Sequence, residues 1–104
     1  MPNFFDRSDP PQAGHETFDT LCQTSNVKVE RVLSNRVAGG EWYDQENDEW
    51  VMLVCGEAVL EFDGGEMQRL KAGDHLFIPA RRRHRVLSTS ADASWLAVHI
   101  KIAD

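Results

Sequence analysis

The stretch EWVMLVCGEAVLEFDGG, residues 49–65, decides the fold class of this 104-residue chain. Glu49 to Cys55 is a dense apolar run that breaks at Gly56, and Ala58 to Phe62 is a second short run. Asp63-Gly64-Gly65 then supplies residues that tight hairpin turns prefer. Apolar runs this short, bounded by glycine, are typical of β-strands and not of helices.

Outward from this hairpin, short β-rich runs alternate with turn signals. One run precedes the hairpin, at residues 27–33, and four follow it, at residues 67–70, 75–78, 84–88 and 95–102. Seven or eight short strands at close spacing, without a helical period, predict an all-β sandwich or barrel. We therefore predict one domain over residues 27–102. Residues 1–26 are predicted to be an irregular N-terminal segment, in which Thr17 to Cys22 forms a short strand or turn that covers the barrel.

Composition and charge narrow the classes of function. Hydrophobic residues make up 41% and charged residues 27% of the chain, as in ordinary globular proteins. The formal net charge of −6 disfavours binding to nucleic acid or to an anionic membrane. No apolar run approaches the ~20 residues that cross a bilayer, and the polar start of the chain lacks the features of a secretion signal. We expect a cytoplasmic protein.

Two polar residues are predicted to point into the interior. Strand alternation places Glu49 on the face of Val51 and Leu53, and it places His84 on the face of Val86. An interior carboxylate has to be paired, protonated or bound to a metal. A Glu and a His from separate strands suit a divalent metal such as Zn, Fe, Mn or Ni. The simpler interpretation is a Glu–His hydrogen bond that joins two strands.

The spacing around His84 resembles the second motif of the single-domain cupins. That motif is Gly, five residues, Pro, one residue, Gly, two residues, His, three residues, Asn. Gly73, Pro79 and His84 match it in register, whereas Arg81 replaces the second Gly and Ser88 replaces the Asn. The resemblance covers most of residues 27–102. It implies a single antiparallel cupin-type β-barrel, that is, a double-stranded β-helix or jelly roll.

The first cupin motif ends in Glu, six residues and Gly, which Glu49 and Gly56 fit. Family members that bind metal carry His-x-His three or four residues before that Glu. Here those places hold Trp42-x-Asp44 or Tyr43-x-Gln45. The resemblance thus reduces the usual metal set of three His and one Glu to Glu49 and His84. Asp44 could complete a site of two carboxylates and one histidine, with Gln45 as a weaker oxygen donor. Both a pocket that holds a divalent metal and a metal-free pocket are compatible with this set.

Further side chains are predicted to surround this pocket. Trp42 and Tyr43 could form a wall for a ligand, or they could pack in the core or a dimer interface. His99 either faces the pocket mouth or is an exposed histidine between the sheets. Arg81 either binds an anionic group beside the pocket or pairs with the acidic loop from Asp44 to Glu49.

Three functions are compatible with the sequence. The first is a metal-dependent enzyme acting on a small polar or anionic molecule, such as the oxygenases and isomerases common among cupins. The second is a non-catalytic cupin that binds or senses a small molecule, with or without a metal, and the missing His-x-His favours it. The third is a structural or interaction module that forms a homodimer through the apolar strand at residues 50–54.

Overall fold

The computed structural model describes residues 1–102, which form antiparallel β-strands and no helix. The strands are β1 (Glu16–Gln23), β2 (Val27–Ser34), β3 (Asp48–Cys55), β4 (Glu57–Phe62), β5 (Met67–Lys71), β6 (His75–Ile78), β7 (His84–Thr89) and β8 (Ala93–Ile100). A five-stranded sheet has the order β1-β2-β8-β3-β6, and a three-stranded sheet has the order β5-β4-β7. The predicted all-β antiparallel fold is confirmed. The described residues contain no helix long and apolar enough to span a membrane.

The hydrophobic core lies between the two sheets. Leu53 and Trp95 of the five-stranded sheet belong to one buried cluster with Leu60 and Phe62 of the three-stranded sheet. Leu53 is completely buried. Burying one such side chain stabilises the fold by about 1.5–3 kcal/mol, so the facing sheets hold each other in place through these contacts.

Within residues 1–26, predicted as irregular apart from a short strand or turn at Thr17 to Cys22, the structure forms one regular strand. Residues 16–23 form the edge strand β1, which pairs with β2 from Lys28 to Ser34 with a single irregularity between Thr20 and Cys22. Residues before β1 lie on the outer face of the five-stranded sheet, where Arg31 donates to the backbone carbonyls of Phe4 and Asp6. β1 is an edge strand that pairs on one side and is largely exposed, so few of its positions need an apolar side chain. Its sequence therefore shows little alternation.

Gly56 joins the two sheets, since β3 ends just before it and β4 begins just after it. Its backbone has a φ of +85°, in the left-handed region that favours glycine. A Cβ at this position would lie 2.5 Å from Ser90 Oγ and 2.9 Å from Ala93 Cα. The crossing from one sheet to the other therefore needs a residue without a side chain.

We predict that Gly56→Ala destabilises the fold more than Gly14→Ala does. Gly14 has the same φ of +85°, but no atom lies within 4 Å of the position that a methyl group would take there. Gly14→Ala should therefore cost only the left-handed strain of about 1–2 kcal/mol. Gly56→Ala should cost a further ~1–3 kcal/mol, because the methyl overpacks against backbone. Urea unfolding of both variants measures the difference, and equal losses would contradict this role of Gly56.

Candidate functional site

A cavity of about 120 Å³ lies between the sheets, with five carboxyl or imidazole side chains from five strands on its wall. These are Glu16 of β1, Glu30 of β2, Glu49 of β3, His84 of β7 and His99 of β8. Most of the remaining wall is apolar, including Val51, Leu60, Ile78 and Trp95. The cavity is thus a small apolar chamber that carries a few acid–base groups, which is the usual composition of a small-molecule site.

Glu49 is a buried carboxyl group on the cavity wall, and one of its oxygen atoms lacks a hydrogen-bond partner within residues 1–102. It lies on the inner face of β3, directly opposite His99 of β8 and Ile78 of β6. Its side chain is buried, and its Oε1 atom has no hydrogen-bond partner among the described residues. Burial raises the pKa of Glu49, and the neighbouring imidazoles of His99 and His84 offset part of that rise, as does a hydrogen bond from the Gln45 side chain. Glu49 is therefore a carboxyl group that can exchange a proton or accept a hydrogen bond.

His84 faces Glu49 from the opposite sheet, with 3.7 Å between His84 Nε2 and Glu49 Oε1. Its other ring nitrogen, Nδ1, lies 2.9 Å from the Arg82 carbonyl oxygen. Because a carbonyl only accepts hydrogen bonds, Nδ1 carries the proton. In the neutral imidazole, Nε2 then presents a lone pair to the cavity and to Glu49. The pair can therefore accept or relay a proton at these two atoms.

Glu30 and His99 form a second carboxylate–imidazole pair nearer the opening. His99 Nε2 lies 3.2 Å from Glu30 Oε1, and the Lys28 ammonium lies 3.3 Å from Glu30 Oε2. Of the two interpretations of His99, the structure places it on the cavity wall and not among exposed residues. Glu30 thus has partners on both oxygens, unlike Glu49.

Glu16 and the buried Ser34 form a short hydrogen-bond chain at the side of the cavity. The Ser34 hydroxyl donates to Glu16, and the Trp95 indole N–H donates to Ser34 Oγ over 3.1 Å. Burial raises the pKa of Glu16, although the Ser34 hydrogen bond opposes this. The edge strand β1 therefore adds a third carboxyl group to the site.

Tyr43 and Gln45 reach the cavity from the loop before β3. The backbone of Tyr43 exchanges two hydrogen bonds with the backbone of His84, over 2.7 and 3.0 Å. This bridge holds the Tyr43 ring beside the His84 ring, with 5.8 Å between their centroids. Burial is the main reason that the pKa of Tyr43 is raised. Of Trp42 and Tyr43, which were predicted as a ligand wall, Tyr43 lines the cavity, together with Gln45.

Three predicted site residues lie outside the cavity. Asp44 is half exposed, with its Oδ1 3.5 Å from Arg81 Nη1, and Arg81 Nη2 also contacts Glu46 over 3.3 Å. Trp42 packs beneath the guanidinium groups of Arg83 and Arg85. Arg81 thus pairs with the acidic loop, and neither Arg81 nor Trp42 contributes to the cavity wall.

Arg81 occupies a position where the cupin motif has glycine, and its backbone conformation explains why the motif has glycine there. Its φ is +68°, so the chain turns here through the left-handed region. The Arg81 amide donates to the Gln45 carbonyl over 2.8 Å, which ties this turn to the loop that carries Tyr43. The substitution therefore keeps the turn, and an L-residue in this conformation costs about 1–2 kcal/mol.

The residues present do not fit the metal site that the cupin resemblance implies. Within residues 1–102, no group of three or more His, Cys, Asp or Glu side chains is placed to hold a metal ion. Asp44 cannot complete the set with Glu49 and His84, because it points toward Arg81. A lone Glu–His pair lacks the third and fourth protein ligands that stable zinc sites use. The three-residue metal set is corrected on this ground.

Glu30, Glu16 and Phe18 are cavity residues that the sequence analysis missed. Glu30 shares a strand face with Val32, so alternation was a usable signal for it. The opposite face of β2 is also apolar, with Leu33 buried, and that hid the signal. Glu16 and Phe18 lie on an edge strand whose existence depends on β2, and nothing in their local sequence marks them.

We predict that Glu16→Gln stabilises the protein at neutral pH and not in acid. The folded-state pKa of Glu16 lies above the ordinary value of 4.5, so folding favours the protonated acid. Stability from this group is full below about pH 4.5 and is lost as the pH rises through the folded pKa. Glutamine removes the charge but can still accept the Ser34 hydrogen bond. Thermal unfolding at pH 4 and pH 7.5 checks this, and an equal gain at both pH values would contradict it.

Comparison with known proteins relates this chain to the cupins. The family model described as Cupin domain matches residues 32–99. A structure from Ralstonia eutropha JMP134, provisionally assigned as a mannose-6-phosphate isomerase, is 40% identical, with a TM-score of 0.85 and coverage of 98% of each chain. KdgF from a Halomonas species is 22% identical, with a TM-score of 0.76, covering 89% of this chain and 85% of that one.

A cupin superfamily protein from Desulfitobacterium hafniense DCB-2 is 21% identical, with a TM-score of 0.71, and covers 88% of this chain and 83% of its own. At such identities the last two structures show the shared fold alone. No curated protein matches the chain. The family match spans well over half of the residues, and it includes Glu49, His84 and the glycine turn between the sheets. The chain therefore belongs to the cupin domain family.

Proposed function

We propose that this cupin binds a small polar molecule in the cavity between its sheets, with Glu49 and His84 orienting the polar group. The observation that carries the proposal is the buried Glu49 Oε1 atom, which faces His84 Nε2 at 3.7 Å and has no hydrogen-bond donor among the described residues. Leaving a buried polar atom unpaired costs about 1–3 kcal/mol. A bound hydroxyl or amino group would recover that free energy.

The size of the cavity supports a small ligand. A cavity of roughly 150 Å³ accommodates a benzene-sized molecule, and this one measures about 120 Å³. It shares Glu30, Tyr43, Gln45 and His99 with a polar groove outside it, which is also lined by the turn at residues 23–28. A ligand can therefore place one small end in the cavity and extend a polar part into the groove.

A divalent metal does not enter this proposal, because the described side chains supply only Glu49 and His84 at the centre. The proposal follows the metal-free form of the binding hypothesis. The homodimer and the cytoplasmic location remain predictions. The exposed Phe77 beside the half-buried Trp50 on the outer sheet face is the feature most compatible with a dimer.

We expect Glu49→Ala and His84→Ala each to weaken ligand binding about tenfold or more, since each removes a hydrogen-bond partner inside an apolar cavity. The probes are small alcohols, amides, amines and carboxylic acids, and binding is followed by amide chemical shifts of the cavity strands. Arg81→Gly is the control, because Arg81 is outside the cavity and glycine suits its backbone. Circular dichroism confirms that each variant is folded.

Two results would contradict the proposal. One is the absence of any shift at cavity residues with every probe in the panel. The other is binding that disappears when a chelator is added, which would favour the metal-dependent enzyme instead.

An isomerase that transfers protons is the second candidate. The 40% identical structure is provisionally assigned as a mannose-6-phosphate isomerase. In the present chain, Glu49 and His84 form a buried acid–base pair, and proton transfer during isomerisation uses such a pair. The charge of the cavity disfavours that particular substrate. Its wall carries three glutamates and, within the described residues, no Lys or Arg to hold a phosphate.

We therefore expect no conversion of mannose 6-phosphate by the purified protein. Incubation in D₂O with mannose 6-phosphate or mannose, followed by proton NMR, measures both isomerisation and exchange at the carbon beside the carbonyl. If the wild type converts mannose 6-phosphate and the Glu49→Gln variant does not, this expectation is contradicted and the isomerase is established.

A further inference from the structure

We propose that the ligand of this cavity is a small organic amine, bound as its ammonium between Glu49 and His84. The inference rests on the proposed function and names the chemical class of the molecule bound. Three features of the described cavity lead to it: two facing acceptors without a donor, an excess of carboxyl groups, and aromatic and alkyl walls.

The two facing atoms are both acceptors. Glu49 Oε1 has no donor, and in the neutral imidazole His84 Nε2 presents a lone pair, because Nδ1 donates to the Arg82 carbonyl. At 3.7 Å the two atoms are too far apart to bond directly, but both can be reached from one atom at normal hydrogen-bond distance. An ammonium nitrogen carries three N–H donors, so it can donate to both atoms at once.

The charged groups that face this point favour a cation. Glu49 belongs to the wall together with Glu16 and Glu30, whereas no Lys or Arg of the described chain lines the cavity. Lys28 already pairs with Glu30 from the groove side, and His84 and His99 are the cationic partners available when protonated. A ligand carboxylate or phosphate would meet the Glu49 carboxyl inside an apolar wall, where like charges repel strongly.

The remaining wall suits the rest of an amine. The aromatic side chains of Phe18, Tyr43 and Trp95 line the cavity, and aromatic faces attract ammonium groups within about 6 Å. The alkyl side chains of Val51 and Leu60 offer an apolar surface for a short carbon chain. A cavity of about 120 Å³ admits a branched amine of roughly five heavy atoms.

Three probes of one shape and different charge test the inference. Isobutylamine is the cation, isobutanol the neutral analogue and isobutyrate the anion, each titrated at pH 7 into the full chain and followed by amide shifts of the cavity strands. We expect isobutylamine to bind about tenfold or more tightly than isobutanol, because charge-assisted hydrogen bonds are about twice as strong as neutral ones. We expect isobutyrate to show no binding at the cavity.

A charge variant and its matched control locate the effect. Glu49→Gln keeps the shape of the side chain and removes its charge, so isobutylamine should lose about tenfold in affinity while isobutanol changes by less than about threefold. Glu57→Gln makes the same change in net charge at an exposed residue that does not line the cavity. It should bind isobutylamine as the wild type does.

Each other outcome overturns the amine and is distinguishable from failure of the proposed function. Equal or tighter binding of isobutanol or isobutyrate overturns the cation but keeps a small-molecule site. Equal loss in Glu57→Gln shows nonspecific charge attraction and also overturns it. No binding of any of the three overturns the amine, while the panel of polar probes separately decides the proposed function. If Glu49→Gln is unfolded, the order of affinities in the wild type decides.

Discussion

The pairing of β3 on both of its edges is the constraint on which the site depends. β3 lies between β8 and β6, and its backbone is hydrogen-bonded to both. A shift of one residue would turn Val51 and Leu53 away from the core and replace them with half-buried side chains from the other face. That register places Glu49 on the same inward face, so core packing and the buried carboxyl group are consequences of one alignment.

Charge is separated in this protein between the cavity and its surroundings. The arginines next to His84 are all paired with acidic groups outside the cavity: Arg81 with Asp44 and Glu46, Arg82 with Glu66, Arg83 with Asp63 and Arg85 with Glu61. Most of these pairs are exposed, and such pairs contribute little stability. Their effect on the site is that the guanidinium groups are occupied elsewhere. Within residues 1–102, the carboxyl groups in the cavity are balanced by imidazoles, one lysine at the rim and hydrogen bonds.

Backbone hydrogen bonds join the loop that carries Tyr43 and Gln45 to the region around His84. The backbone bridge between Tyr43 and His84 joins the loop before β3 to β7. The Arg81 amide joins the turn between β6 and β7 to Gln45 in the same loop. His84 therefore keeps its orientation through its own backbone and through the Arg82 carbonyl. This explains how the spacing of the cupin motifs is kept although the His-x-His pair of the first motif is missing. The turn and the loop are held by backbone hydrogen bonds that do not depend on those side chains.

Much of the fold and the centre of the site could be predicted from the sequence. Glycine-bounded apolar runs indicated antiparallel strands, and alternation within residues 49–53 and 84–86 turned Glu49 and His84 inward, because a period of two is a local property of any strand. The break of the strand at Gly56 was also visible in the sequence, whereas the contacts with Ser90 and Ala93 that exclude a side chain there come from the tertiary structure. The replacement at Arg81 was visible as a departure from the motif, although its left-handed backbone was not.

What only the tertiary structure decided was which side chains meet. The sequence placed Asp44 and Arg81 near the pocket, but their opposite charges pair with each other across 37 residues of chain and leave the cavity. Glu16 and Glu30 enter it because β1 and β2 pair in one register, Glu16 opposite Ser34, and no local pattern specifies that register. The sequence by itself therefore determined the run of strands from β2 to β8 and the inward direction of Glu49 and His84. The acidic character of the cavity arose from long-range pairing, because the partner of a charged side chain depends on distances that only the folded chain sets.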